Sequence, residues 1–170
     1  MINQKSFLAL FSFVLFSVEV PAQNLTSGQD GLHGLKQVGV VIDLSESAIN
    51  AGLSFNQLTN DVKLRLRGNG ITVDGGSHSF IYVGVTVVGL DFGLGGRSVG
   101  FAANTEVEFR ELVIFKRDPN KMIRGSTWTT PSSITISPNR NSLVQGVRQE
   151  IRDMADRFCS AYLAANPKTQ

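Results

Sequence analysis

From Ser142 to Ala165 one apolar spacing repeats without a break: Val144, Val147, Ile151, Met154, Ala155, Phe158 and Tyr162 fall on a single helical stripe. Ser142 and Gln145 form a capping box and predict where this helix, 142 to 165, begins. A helix with one apolar stripe is stable only when the stripe lies on a broad apolar partner. Most of the remaining apolar segments read as strands, so the partner is a sheet.

"LKQVGVVIDL", 35 to 44, places Val38, Val40, Ile42 and Leu44 on one strand face, and Val41 gives the other face some apolar character. "SESAINAG" interrupts the pattern. Ser54 then reads as the N-cap of a helix over 55 to 67, with Phe55, Leu58, Val62 and Leu66 at helical spacing and Gly68-Asn69-Gly70 as its left-handed stop. "ITV", 71 to 73, is a short strand. "FIYVGVTVVGL", 80 to 90, carries apolar groups on both faces, as a strand in the middle of a sheet does. The run 98 to 115 alternates as a half-solvated antiparallel strand, except that Glu111 breaks its apolar face, for which a bulge is the expected cause. "STWTTPSSITIS" predicts one or two edge strands interrupted by Pro131. The expected fold class is α+β: a two-layer sandwich, two helices on one face of a mainly antiparallel sheet of four to five strands.

The N-terminus predicts export. Lys5, the apolar run "SFLALFSFVLFSV" and the small residues Val20 and Ala22 make a signal peptide over 1 to 22, cleaved after Ala22. The apolar run is short for a bilayer span of ~20 residues, so no stable membrane insertion is expected after cleavage. Residues 23 to 34 read as a flexible leader and 35 to 166 as a single domain. Sixteen basic against fourteen acidic residues, a net charge of +2, give no reason to expect a nucleic-acid partner. One cysteine, Cys159, excludes an internal disulfide. It flanks the helical stripe far from a helix N-terminus, and reads as a small half-buried packing residue, not a reactive thiol.

Candidate chemistry is sparse. The alternative reading makes His33 and His78, each a few residues after an aspartate (Asp30, Asp74), the ligand set of a metal-dependent periplasmic enzyme. Neither spacing is a ligand motif, and no metal, cofactor or catalytic residue is assigned. "GRSVG" matches a nucleophile elbow around Ser98, but both histidines precede it and a strand follows it. The glycine-rich stretch 89 to 100 joins two strands and reads as a hairpin turn, not a phosphate loop. Glu106 and Glu108 share a strand face beside Arg110, which keeps carboxylates ionised. Lys116, Arg117, Lys121 and Arg124, with Trp128 nearby, form a basic loop suited to an anionic envelope polymer. The two helices cover one sheet face only. Phe80, Tyr82, Thr86 and Val88 are therefore expected on the open face, as the contact for an envelope protein or for self-association. Tyr82→Glu is expected to abolish that association without unfolding the chain.

The string "GLSFNQLTNDVKLRLRGNGITV" together with "TW" and "IRDMADRFCSAYLAANP" resembles a class of small exported bacterial proteins of uncharacterised function. The resemblance covers most of the chain after the signal. It implies a strand, a helix, central strands and a closing helix, and a bacterial source, with no catalytic residue and no ligand. The topology is also similar to the outer-membrane lipopolysaccharide-assembly lipoprotein, although the lipid-bearing cysteine of that family is missing. The expected function is that of a non-catalytic exported or periplasmic domain that binds a protein partner in the cell envelope.

Overall fold

The computed structural model describes residues 30–92 and 97–167. The expected signal peptide and its cleavage site lie outside the described residues. The elements run β1 (Gln37–Leu44), α1 (Glu46–Asn50), α2 (Phe55–Gly68), β2 (Thr72–Val73), β3 (Phe80–Phe92), β4 (Arg97–Phe115), β5 (Asp118–Thr129), β6 (Ser133–Ser137) and α3 (Arg140–Ala165). The α+β class and the two-layer arrangement are as expected. Among the described residues the sheet has six strands and is mixed, in the order β2-β1-β3-β4-β5, with β6 also paired to β4.

β1 lies parallel to both of its neighbours. Parallel pairing needs a crossover, and α1 and α2 supply the one between β1 and β2. The chain then passes over β1 at Gly39 to begin β3 on the other side. A Cβ at Gly39 would stand 3.2 Å from that of Phe80 and 3.4 Å from the Asp74 carbonyl, so any side chain there would push the crossing aside by a few tenths of an ångström. α1 was not anticipated. It is a single short helix capped by Ser45, whose side chain accepts from the Ala48 N–H.

β3 is central, flanked by β1 and β4. β4 is long enough to carry two partners on its far edge: β6 along Phe101–Thr105 and β5 along Glu108–Phe115. The break between them falls at Thr130–Ser132, around Pro131, as the sequence predicts. The irregularity expected at Glu111 belongs to the opposite strand. β5 carries one extra residue, Thr127, between the partners of Phe109 and Arg110, and the Thr127 hydroxyl donates to Glu111 Oε1 at 2.7 Å.

One connected core fills the space between the sheet and the helices. Ile81, Val83, Val85 and Val87 of β3 and Ala103, Val107 and Phe109 of β4 face Leu143, Val147, Ile151, Met154 and Phe158 of α3 and Leu58, Val62 and Leu66 of α2, all buried. Phe158 anchors it, with ring centroids 5.7 Å from Phe109 and 5.1 Å from Trp128. Asp61, on the buried side of α2, receives Arg148 Nε at 2.8 Å and Arg152 Nη2 at 2.9 Å, clamping α2 to α3. Burial pushes the Asp61 carboxyl up, but the two guanidinium groups outweigh it and hold it below its ordinary value.

Two expectations are corrected at the ends of α3. The helix begins at Arg140, capped by Asn139, whose Oδ1 accepts from the Ser142 N–H at 2.9 Å, so Ser142 is not the cap. Residues 30 to 34 are not a free leader: Leu32 is fully buried, Asn166 Nδ2 donates to its carbonyl, and the Gly34 N–H donates to Asn166 Oδ1. Hydrogen bonds and one apolar anchor tie this segment to the end of α3.

Candidate functional site: the uncovered face of the sheet

In β3 the residues that alternate with the core set point away from the helices, and Phe80, Tyr82, Thr86 and Val88 all lie on that face. They are not equally open. Phe80 is only 9% exposed, with the Arg124 guanidinium 4.9 Å from its ring centroid. Tyr82 lies beneath Arg110, 3.6 Å from its ring centroid, and Arg110 Nε is held by Glu108 Oε2 at 2.7 Å. The Tyr82 hydroxyl donates to Asp43 Oδ2 at 2.8 Å. Burial and that carboxylate raise its pKa, so it stays a neutral donor at physiological pH. Arginines therefore roof the two aromatics that helices leave bare, while Thr86 and Val88 face solvent.

Beside Tyr82 the face opens into a polar cleft of about 220 Å3, lined by Asp43, Ser45, Thr86, Asn104 and Glu106 over the backbone of Gly84. The cleft exists because residue 84 has no side chain. A Cβ there would stand 2.6 Å from Glu106 Oε1, which lies across it. The sequence pairs Glu106 with Glu108 beside Arg110, yet Arg110 bridges Glu108 only. Among the described residues neither Asp43 nor Glu106 forms an ion pair.

The most exposed apolar side chains on this face were not anticipated. Ile134 and Ile136 of β6 stand 69% and 72% exposed, opposite Asn104 and Ala102 of β4. The signal was present in "SITIS", where strand alternation puts both isoleucines on one face. Nothing in the sequence decides which face that is.

The basic segment is a hairpin rather than a loop. Lys116 and Arg117 form its turn, and Lys121 and Arg124 lie on β5, exposed. Trp128 does not belong to this surface. It is packed edge-on against Phe158 on the helix side, so it cannot stack on a ligand held by the lysines. Beyond Arg110, β4 has no β3 partner, so residues 111–115 and their β5 partners form a two-stranded arm with Leu112, Ile114 and Met122 exposed.

The structure does not bring the metal candidates together. His33 Nδ1 contacts the Ala165 carbonyl at 2.9 Å, at the end of α3, whereas His78 sits in the turn before β3, its carbonyl accepting from Arg124. No group of three metal-ligating side chains occurs among the described residues. Ser98 lies in β4 paired with Asp91, strand against strand, without the helix an elbow requires; residues 93–96 of the glycine-rich turn lie outside the described residues. Cys159 is 1% exposed, deeper than expected, with Sγ 3.7 Å from the Arg65 carbonyl. Burial pushes its thiol up to about 11, which leaves no nucleophile there. No helix among the described residues is long and apolar enough to cross a membrane.

No protein-family model matches the chain, and no curated protein matches it. Solved structures of similar outline include rare lipoprotein B from Shewanella oneidensis, 14% identical with a TM-score of 0.39, covering 74% of this chain and 94% of that one. A minor lipoprotein from Acinetobacter baumannii is 17% identical, TM-score 0.40, covering 81% and 98%. PelC from Paraburkholderia phytofirmans, a dodecamer, is 13% identical, TM-score 0.38, covering 81% and 89%. The first two are bacterial lipoproteins. Likeness at these scores transfers neither a partner nor a location to this chain.

Proposed function

We propose that the chain is a non-catalytic domain, exported to the cell envelope, that binds a protein through the uncovered face of its sheet. The observation that carries this reading is the exposure of Ile134, Ile136, Val88 and Val41 on a face whose aromatic groups, Phe80 and Tyr82, are already shielded. Monomers scatter single apolar residues over their surfaces, whereas several branched ones on one flat sheet face are the pattern of an interface. Export is supported by the N-terminal sequence, with the signal peptide over 1 to 22 and release of a mature chain beginning at Gln23.

Site-specific photo-crosslinking in the native host tests it. A photoreactive residue at Ile136 should give a discrete protein adduct in the envelope fraction. The same group at Gln149, exposed on α3, should give none. Equal, diffuse labelling from both positions would defeat the assignment of the face.

A further inference from the structure

Along β4 and its edge partners the uncovered face changes character in a fixed order. At one end stand Ile134 and Ile136, opposite Asn104 and Ala102. Next comes Glu106, then the bridged pair Glu108 and Arg110. Arg124 follows, opposite Leu112, and the arm ends with Ile114 opposite Met122. The order is apolar, acidic, paired, basic, apolar. Turned end for end about its middle, it places apolar on apolar and acid on base.

We propose that the occupant of this face is a second copy of the chain, packed sheet to sheet about a two-fold axis near Glu108 and Arg110 of β4. This rests on the reading of the face as an interface and names what covers it. Rotation about that axis reverses the strand direction but keeps the lateral position. β5 and β6 lie on the same edge of β4, so the β5 arm of each copy falls over β6 of the other. Ile114 and Met122 then meet Ile134, and Arg124 meets Glu106, twice over by symmetry. The arm supplies a further reason. Two strands with exposed apolar groups and no third strand are marginal in water, and the opposing sheet gives them a surface to lie on. The overlapping strip is about twelve residues long and two to three strands wide, roughly 40 by 12 Å. That is about 500 Å2 on each copy and about 1,000 Å2 in all, the size at which specific but weak interfaces begin.

Sedimentation velocity on the mature protein should show a monomer–dimer equilibrium with a dissociation constant on the order of 10 μM. Arg124→Glu and Glu106→Arg should each raise that constant at least tenfold, because each sets like charges against each other at both contacts. An equimolar mixture of the two variants should re-form dimers near wild-type strength, since each contact then joins opposite charges. This restoration separates docking from misfolding, which mixing does not cure. A wild-type chain that is monomeric up to roughly 100 μM, single variants that dimerise like wild type, or a mixture that stays monomeric would each overturn the proposal. In the monomeric case a cross-link from Ile136 to a different protein leaves the function proposed above standing, whereas diffuse labelling from Ile136 removes both.

Discussion

The two faces of the sheet are built from the same strands yet close off their apolar groups by different means. On the helix side Ile81, Val83, Val85 and Val87 disappear under α2 and α3, around the Phe158 cluster. On the other side Phe80 and Tyr82 lie under Arg124 and Arg110, and Val88, Ile134 and Ile136 stand exposed. An aliphatic layer sealed by helices contributes stability through area removed from water. A guanidinium lid contributes far less, and it can be displaced by a partner. Apolar pattern alone therefore does not distinguish a core face from a binding face; what lies over it does.

The sharpest way to break this contrast is Phe158→Ala. It removes the ring that touches both Phe109 and Trp128 and leaves a cavity between α3 and the sheet. A loss of about 3–5 kcal/mol is expected, read as a lower urea midpoint. A loss under about 1 kcal/mol would mean that the helix layer is not what holds the sheet.

Asp61→Ala comes next. It leaves Arg148 and Arg152 without the carboxylate they share, and should cost about 1–3 kcal/mol at neutral pH. The folded carboxyl lies below its ordinary value of 3.8. Its contribution is thus fully present above 3.8 and is lost as the pH falls through the lower, folded value. Urea titrations should show the gap between wild type and variant constant down to about 3.8 and closing as the pH falls from there through the folded value. A gap that narrows between pH 7 and 5 would refute the assignment.

Tyr82→Glu falls between the faces. The ring is half-buried beneath Arg110, and a carboxylate there sits near both Asp43 and Glu106 while losing the hydroxyl bond. A loss of about 1–2 kcal/mol in thermal or urea unfolding is expected, more than a freely exposed residue would show and well short of unfolding.

Where periodicity had an unambiguous outcome the sequence was legible. α2, β3, β4 and the stripe of α3 follow from spacing, because a 3.6-residue or two-residue apolar repeat has one way to be buried. The pairing order was not. β1 runs parallel to β3 because the chain crosses at Gly39, and a glycine in a strand does not announce a crossing. Asp61 reads as surface helix until Arg148 and Arg152 arrive from a helix about ninety residues away. At the site, Phe80, Tyr82, Thr86 and Val88 were placed on the right face by alternation. The arginine lids, the cleft made by Gly84 and the exposed isoleucines depend on which strands become neighbours, which local patterns do not encode. Trp128 was misjudged for the same reason: the bulge at Thr127 shifts the register between it and Arg124, and it faces the helices.

The smallest stability effect is the most informative about the open face. Ile134 is exposed and its neighbour across the strand, Asn104, is exposed as well, so Ile134→Glu gives up almost no buried area in the isolated chain. The carboxylate stays in water and no buried donor loses a partner. The remaining cost is the weaker strand preference of glutamate on an edge strand, and the change in unfolding free energy should stay within about 0.5 kcal/mol. In the assembled state the same substitution sets a charge against Ile114 and Met122 of the other copy, so it should weaken association at least tenfold in sedimentation velocity. Stability unchanged with association lost is what an interface residue shows. If instead Ile134→Glu destabilises the monomer as much as Tyr82→Glu does, the isoleucine is covered in the isolated chain, and the two faces differ less than their exposures imply.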